Sequence, residues 1–206
     1  MESQNRSGAL NREKAKELFA ATSKTISDIS DELIQNLFEK SNLVHFEQGE
    51  LFQRAGEFPK YLGFNLNGLF RLYYIDNEGH DLTKGFSDRG SFVVSYSALV
   101  QKRPSHFFIE ALVDTDILQF DWSELMEMLE NDLRWYPFVF KLVENVYIMK
   151  EMRERSFLID DATTRYLNCK REYPNLESKV KQYHIASFIG ITPQALSRIR
   201  KKLKLT

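Results

Sequence analysis

Apolar positions along this chain follow a helical rhythm, then a strand rhythm, then a helical one again. In "SDISDELIQNLFEK", Ser27 to Lys40, the residues Ile29, Leu33, Ile34, Leu37 and Phe38 fall on one stripe, which predicts an amphipathic helix. A shorter helix is expected before it, around Glu13–Ala21, behind a polar and frayed start. Between Asn42 and Phe120 the rhythm changes to short runs: "LVHF", "LFQ", "YLGFNL", "GLFRLYYI", "LTKGF", "SFVVSY", "FFIEAL" and "DILQF". Glycine-bearing segments such as "EQGE", "RAGEFP", "NG", "DNEG" and "DRG" separate them. Many short strands at close spacing predict an antiparallel sandwich or barrel, with Asp76–Gly79 as its clearest hairpin loop. The helical period returns in "WSELMEMLEN" and in a longer stretch from about Leu133 to Phe157 with Pro137 near its start. There Val139, Leu142, Val146 and Met149 step by three, four and three, a seam that packs either on this chain's own barrel or on another helix. A further helix is expected to end before Pro174.

The last periodic stretch, "HIASFIGITPQALSRIRKKLKL" from His184 to Leu205, reads as two helices joined by a tight turn. Ile185, Phe188 and Ile189 make an apolar stripe, Ala186 is small where a second helix comes close, and Gly190 permits the positive φ of the turn. Ile191 fills the corner, Thr192 is an N-cap and Pro193 takes the first helical position. Leu196, Ile199 and Leu203 return the second helix to the core, which leaves Gln194, Ser197, Arg198 and Lys201 outside. Gln194 suits a bidentate pair with adenine and Arg198 one with guanine, while short Ser197 lets the backbone approach a groove. Arg200, Lys202 and Lys204 are expected to meet phosphate or stay solvated.

Charge sharpens this division. The whole chain has a formal charge of −1, yet after Phe157 ten lysines and arginines stand against four acids, and no acid follows Glu177. The acidic remainder and the basic tail suggest domains with different partners, the tail suited to a polyanion. The single cysteine, Cys169, excludes an internal disulfide and a four-cysteine metal or iron–sulfur site within one chain, and its default role is a packed thiol. The start "MESQNRSGALNREK" has no apolar leader core, and uncharged runs such as Gly90 to Gln101 are too short for a membrane span. A cytoplasmic protein with no membrane partner is expected.

The chain resembles bacterial transcription regulators of the Crp/Fnr superfamily from about Ser27 to its end. In the barrel the likeness is carried by "FEQGELFQRAGEFPKYLGFNLNG", Phe46 to Gly68, with Gly49-Glu50 and Gly56-Glu57 at the family's turns, and in the tail by "IASFIGITPQALSRIRKKL". The resemblance implies an α+β chain: an N-terminal double-stranded β-helix (a jelly-roll-like, cyclic-nucleotide-binding-like β-roll), a long dimerisation helix and a C-terminal winged helix-turn-helix. It divides the chain into an N-terminal extension (1–26), a sensor domain (27–130), the dimerisation helix (131–158) and the DNA-binding domain (159–206). The wing is expected around "ESKVKQYH", Glu177 to His184. Double-stranded DNA and a second copy of the chain are the implied partners, the latter through Val139, Leu142, Val146 and Met149; RNA polymerase is a further candidate. DNA contacts are assigned to Thr192, Gln194, Ser197, Arg198, Arg200, Lys201 and Lys202. Where the family pattern opens the recognition helix with an Arg-Glu pair this chain has Pro193-Gln194, so a different sequence preference is expected.

The family's nucleotide cassette uses a Glu for the ribose and an Arg for the cyclic phosphate. In "RGSFVVSYSALVQKRPSHFFIEA" these positions align with Ser95 and Ser105. Without the guanidinium fork that offsets a buried phosphate's desolvation, neither cyclic AMP nor cyclic GMP is expected to bind. Phe92, Ser95, Tyr96, Ser97, Ser105 and His106 are the candidate pocket, suited to an unidentified neutral effector or filled by its own side chains. No cofactor and no metal are expected. Catalysis is disfavoured because His45, His80, His106 and His184 are scattered without an H-x-H pair, and no G-x-S-x-G, P-loop or C-x-x-C motif occurs. The alternative is a non-catalytic ligand-binding or protein-interaction barrel whose basic tail binds another partner, discriminated by whether Gln194 and Arg198 matter differently from Lys202 and Lys204.

Overall fold

The structure, a computed structural model, describes residues 11–204; the start expected to be frayed lies largely outside these. Two helices, α1 (Arg12–Ile26) and α2 (Asp31–Glu39), precede the barrel. Asn11 caps α1 by accepting from the Lys14 amide, and Ser30 caps α2 through the Leu33 amide, satisfying donors that a helix start leaves orphaned. The eight apolar runs become eight strands among the described residues: β1 (Ser41–Phe46), β2 (Leu51–Gln53), β3 (Tyr61–Asn65), β4 (Leu69–Ile75), β5 (Asp81–Asp88), β6 (Phe92–Val93), β7 (Phe108–Ala111) and β8 (Thr115–Asp121). They pair antiparallel in two four-stranded sheets, ordered β1-β8-β3-β6 and β2-β7-β4-β5. The interior between them holds Phe70, Val93, Phe107, Ile109 and Ile117. A short helix absent from the sequence reading, α3 (Tyr96–Gln101), interrupts the uncharged run after β6.

The expected hairpin forms at the β4–β5 turn, where the Asp76 carboxylate accepts from the amides of Glu78 and His80. Leaving the barrel, the chain continues as α4 (Trp122–Asn131), a 3-10 turn and the long α5 (Tyr136–Ile159), with Pro137 in the first helical turn. Three further helices, α6 (Ala162–Glu172), α7 (Leu176–Lys179) and α8 (Gln182–Phe188), lead to the last, α9 (Pro193–Lys202).

Two expectations about organisation are corrected. Residues 12–26 are no appendage, because Ala15 and Phe19 are fully buried with α2, Phe64, Phe120 and the start of α5 in one cluster. The Phe19 ring stands edge-on to Phe64 at 5.1 Å, so α1 belongs to the barrel's core. The wing is also missing: "ESKVKQYH" is the end of α7, a linker and the start of α8, and among the described residues no strand follows β8. Leu176 is buried in the tail's own core, and that anchor favours a helical turn over an extended hairpin.

Candidate functional site

The tail folds as its pattern requires. Gly190 has φ +71° between α8 and α9, and the Thr192 hydroxyl accepts from the Ala195 amide at 3.2 Å to cap α9. Leu196 is fully buried, and Ile199 and Leu203 pack beside Ile185, Ala186 and Phe188. Gln194, Ser197, Arg198, Lys201 and Lys202 are exposed, as is Thr192, so α9 presents one polar and basic face outward. Arg200 does not join it. Its guanidinium turns back to Glu177, Nε to Oε1 at 3.6 Å, and Glu177 also accepts from the Tyr166 hydroxyl at 2.5 Å and pairs with Lys170 at 3.0 Å. Burial pushes the Glu177 carboxyl up, but the bonds from Tyr166 and Lys170 and the charges of Lys170 and Arg200 hold it below its ordinary value. The carboxylate thus ties α6, α7 and α9 together, and Arg200 braces α9 from behind its exposed face.

The candidate pocket is divided by the structure. Ser95 and Ser105, 1% and 2% exposed, share a hydrogen bond at 2.9 Å, and the Ser105 hydroxyl lies 2.8 Å from the Phe107 carbonyl. The two aligned positions do meet, but their hydroxyls satisfy one another. His106 is exposed and contributes no wall. Phe92, Tyr96 and Ser97 instead border a groove of about 1460 Å³ between the barrel and α5, walled by side chains such as Leu72, Phe107 and Trp122. Val139, Leu142, Val146 and Met149 all line this groove; Val139 packs against the barrel's core, while Val146 and Met149 are 39% and 51% exposed in the single chain. Lys84 of β5, a residue the pattern gave no role, enters the groove with its ammonium 3.9 Å from the centre of the Phe107 ring. Burial, with the nearby charges of Lys150 and Arg153, pushes its pKa down to about 8. Its signal in the sequence is slight: it is the one charge in "LTKGFS". Cys169 is buried in the tail's core, and burial pushes its thiol up to about 12, so it stays protonated and packed. Among the described residues no group of three His, Cys, Asp or Glu could hold a metal ion.

Residues 43–132 match the cyclic nucleotide-binding domain family. No curated protein sequence matches the chain. Among solved structures it is similar to FixK2 from Bradyrhizobium japonicum, with 17% identity and a TM-score of 0.69 over 80% of this chain and 85% of that one. The c-di-GMP responsive global regulator CLP of Xanthomonas campestris gives 12% identity and 0.68 over 85% and 92%. The catabolite activator protein of Thermus thermophilus gives 14% and 0.55 over 87% and 85%. The chain has the Crp/Fnr fold. Among the described residues no helix is long and apolar enough to cross a membrane.

Within the Crp/Fnr fold of this chain, the tail is docked on the barrel's β4–β5 hairpin. The Thr83 amide donates to the Ser187 hydroxyl of α8 at 2.8 Å, and Lys179 pairs with Asp88 at 3.0 Å. The Phe86 ring packs against Tyr173 and Phe188, with centroids at 5.8 and 5.3 Å. From α5, Arg153 stacks on Phe188 at 3.9 Å and donates to its carbonyl at 2.8 Å. These residues missed by sequence reasoning couple barrel, long helix and tail, and no local pattern announces a contact across some 35 to 104 residues.

Proposed function

We propose that this chain is a homodimeric DNA-binding transcription regulator that reads a palindromic site and does not respond to cyclic AMP. The supporting observation is the two-sided α9, with Leu196 sealed in the core while Gln194, Ser197 and Arg198 stand outside in the capped N-terminal half and middle of the helix and Lys201 in its last turn. A helix so presented enters a major groove with its base-reading residues first and its basic end beside phosphate. Gln194 and Arg198 read bases, Ser197 permits approach, and Thr192, Lys201 and Lys202 contact the backbone.

Dimerisation runs through α5, where the seam of Val139, Leu142, Val146 and Met149, its last two residues 39% and 51% exposed, is joined by a second exposed stripe. Tyr136, Phe140 and Tyr147 are 54%, 64% and 66% exposed and recur at steps of four and seven, a stripe suited to a second copy of the same helix. The Ser95–Ser105 bond supports the loss of cyclic nucleotide binding, since a phosphate there would lose the ion partner it requires. RNA polymerase is a further partner in the proposal.

The test is selection of bound sequences from a random DNA pool, with Arg198→Ala and Lys202→Ala in parallel. Arg198→Ala is expected to weaken the selected site by about 1–3 kcal/mol and relax one guanine position. Lys202→Ala is expected to weaken all sequences alike and to lower the salt dependence by about one counterion. Equal effects of the two variants on selected and random DNA would overturn base reading by α9.

A further inference from the structure

The barrel and the tail carry opposite charge, and an ion pair stands where they meet. Asp88, at the end of β5, and Lys179, at the end of α7, approach to 3.0 Å. The Asp88 oxygen that takes the ammonium also accepts from the Arg89 amide at 2.9 Å. One anionic oxygen thus gathers an ammonium and a backbone N–H, as a phosphate oxygen does on a DNA-binding surface. The two side chains are 32% and 31% exposed, and an ion pair so open to water adds little to the stability of a fold. The tail's docking on the hairpin is already secured by the Thr83–Ser187 bond and by Phe86 against Tyr173 and Phe188. No acid follows Glu177, and Glu177 itself is engaged by Tyr166, Lys170 and Arg200. Lys179 therefore draws its countercharge from the barrel. It also stands where the wing was expected, two residues before Lys181, the exposed N-cap of α8. Helix α8 packs on α9 through Ile185 and Ala186 against Leu196. When such a pair lies on a duplex with its second helix in the major groove, the first crosses the phosphate backbone. Lys179 is at most roughly 7 Å of chain from Lys181, and its flexible four-carbon stem extends the reach of its ammonium.

We propose that the Asp88 carboxylate stands in for a DNA phosphate at Lys179 and holds that lysine back until duplex DNA displaces it. The inference rests on reading the tail as the part that binds DNA, and it adds a backbone contact outside α9 whose strength the barrel sets. While the pair is closed, DNA receives no contact from Lys179 and meets the negative charge of Asp88 beside its own. Both effects lower affinity without altering which bases α9 reads. When the ammonium swings to a phosphate, a condensed counterion leaves the DNA and Asp88 keeps the Arg89 amide. The exchange needs only rotation of the lysine side chain, so the Thr83–Ser187 bond and the Phe86 contacts stay in place. It acts on every DNA sequence alike, and selectivity is left to Gln194 and Arg198.

The experiment measures binding of the full chain to a random-sequence duplex and to the selected site, over a range of salt, for the native protein, Asp88→Asn, Lys179→Met and the double variant. Asparagine keeps an oxygen that accepts from the Arg89 amide, and methionine keeps the length of the lysine stem. Slow amide exchange at Thr83, whose N–H is held by Ser187, checks that the tail stays docked in each variant. Asp88→Asn is expected to tighten binding to both duplexes by about three- to fivefold at low salt, and Lys179→Met to abolish that gain. The double variant should release about one counterion fewer than Asp88→Asn alone. The proposal is overturned if Asp88→Asn binds no tighter than the native chain or if the gain survives Lys179→Met. It is also overturned if Thr83 exchange accelerates in Asp88→Asn, which would assign the gain to undocking of the tail. A Lys179-dependent gain on the random duplex, in a chain that selects no sequence, would leave the ion-pair reading standing and remove base reading by α9; sequence selection with a silent Asp88→Asn would do the reverse. Binding of no duplex by any of the four proteins would overturn both.

Discussion

His184 shows how a single side chain acquires properties its sequence neighbours do not dictate. It lies on α8, 7% exposed, where that helix meets the barrel, and its Nδ1 has no hydrogen-bond partner. Burial first, then the charges of Arg71 and Lys181, push its pKa down to about 4 against the opposing pull of Asp81. Because the folded state resists protonation, the neutral imidazole's contribution is complete above the unfolded value near 6.5 and is lost as pH falls toward 4. The difference is about 2 kcal/mol at pH 5, from roughly 1.4 kcal/mol per unit. Comparing melting of the native chain and His184→Gln at pH 7 and pH 5 checks this: the native chain should lose that much more stability than the variant. Arg71 lies beside it, 1% exposed, its charge met by a bidentate pair with Asp81 and a bond to Thr83. Nothing in "LFRLYYI" distinguishes this inward arginine from an exposed one. Only the hairpin's pairing, Arg71 opposite Phe86 and Tyr73 opposite Thr83, brings its partners to it.

At the scale of elements, two glycines show which turns tolerate change. Gly68 precedes β4 at φ +76°, and a Cβ there would meet the Asp114 carbonyl oxygen at 2.7 Å as well as Thr115. Thr115 cannot give way freely, since its hydroxyl accepts from the Leu69 amide and donates to the Val113 carbonyl. Gly190 has a similar φ of +71°, but its Cβ would meet the tip of the Phe157 ring, a side chain that can rotate. Thermal melting should therefore show Gly68→Ala costing about 2–3 kcal/mol and Gly190→Ala about 1 kcal/mol, the cost of the left-handed backbone alone. The helix-turn-helix was readable because each of its determinants is local: cap, proline, glycine and an apolar stripe. The wing was misplaced because its supposed strands have no local hairpin signal, while Leu176 and Glu177 find tertiary partners as part of α7. The small α3 was missed because a six-residue helix inside an uncharged run carries too few turns to show a period.

For the whole molecule, α5 serves several surfaces at once. It faces the groove with Val139, Leu142, Val146 and Met149, exposes Phe140 and Tyr147 elsewhere, and reaches α8 through Arg153. A helix that is apolar around much of its circumference needs more than one neighbour. Sedimentation of Phe140→Glu/Tyr147→Glu is the check on the second neighbour: a monomer that keeps the native circular dichroism spectrum is expected, while the native chain sediments as a dimer at micromolar concentration. A dimer of unchanged stability in that variant would assign the interface to another face.

By itself the sequence determined the helix–barrel–helix plan, the eight strand runs, the turn before α9 and the polar face of that helix, because periodicity, glycine and capping act over a few residues. It also removed the charged anchors of the nucleotide cassette, a matter of residue identity alone. Which way the α5 seam points, that Ser95 and Ser105 close on each other, that Arg200 turns to Glu177 and that Lys84 enters an apolar groove were decided by tertiary structure. Each depends on what a distant segment offers at close range. The energy of an apolar seam, a hydroxyl or a cation is set by the burial and partners it meets, and these exist only once the chain has folded.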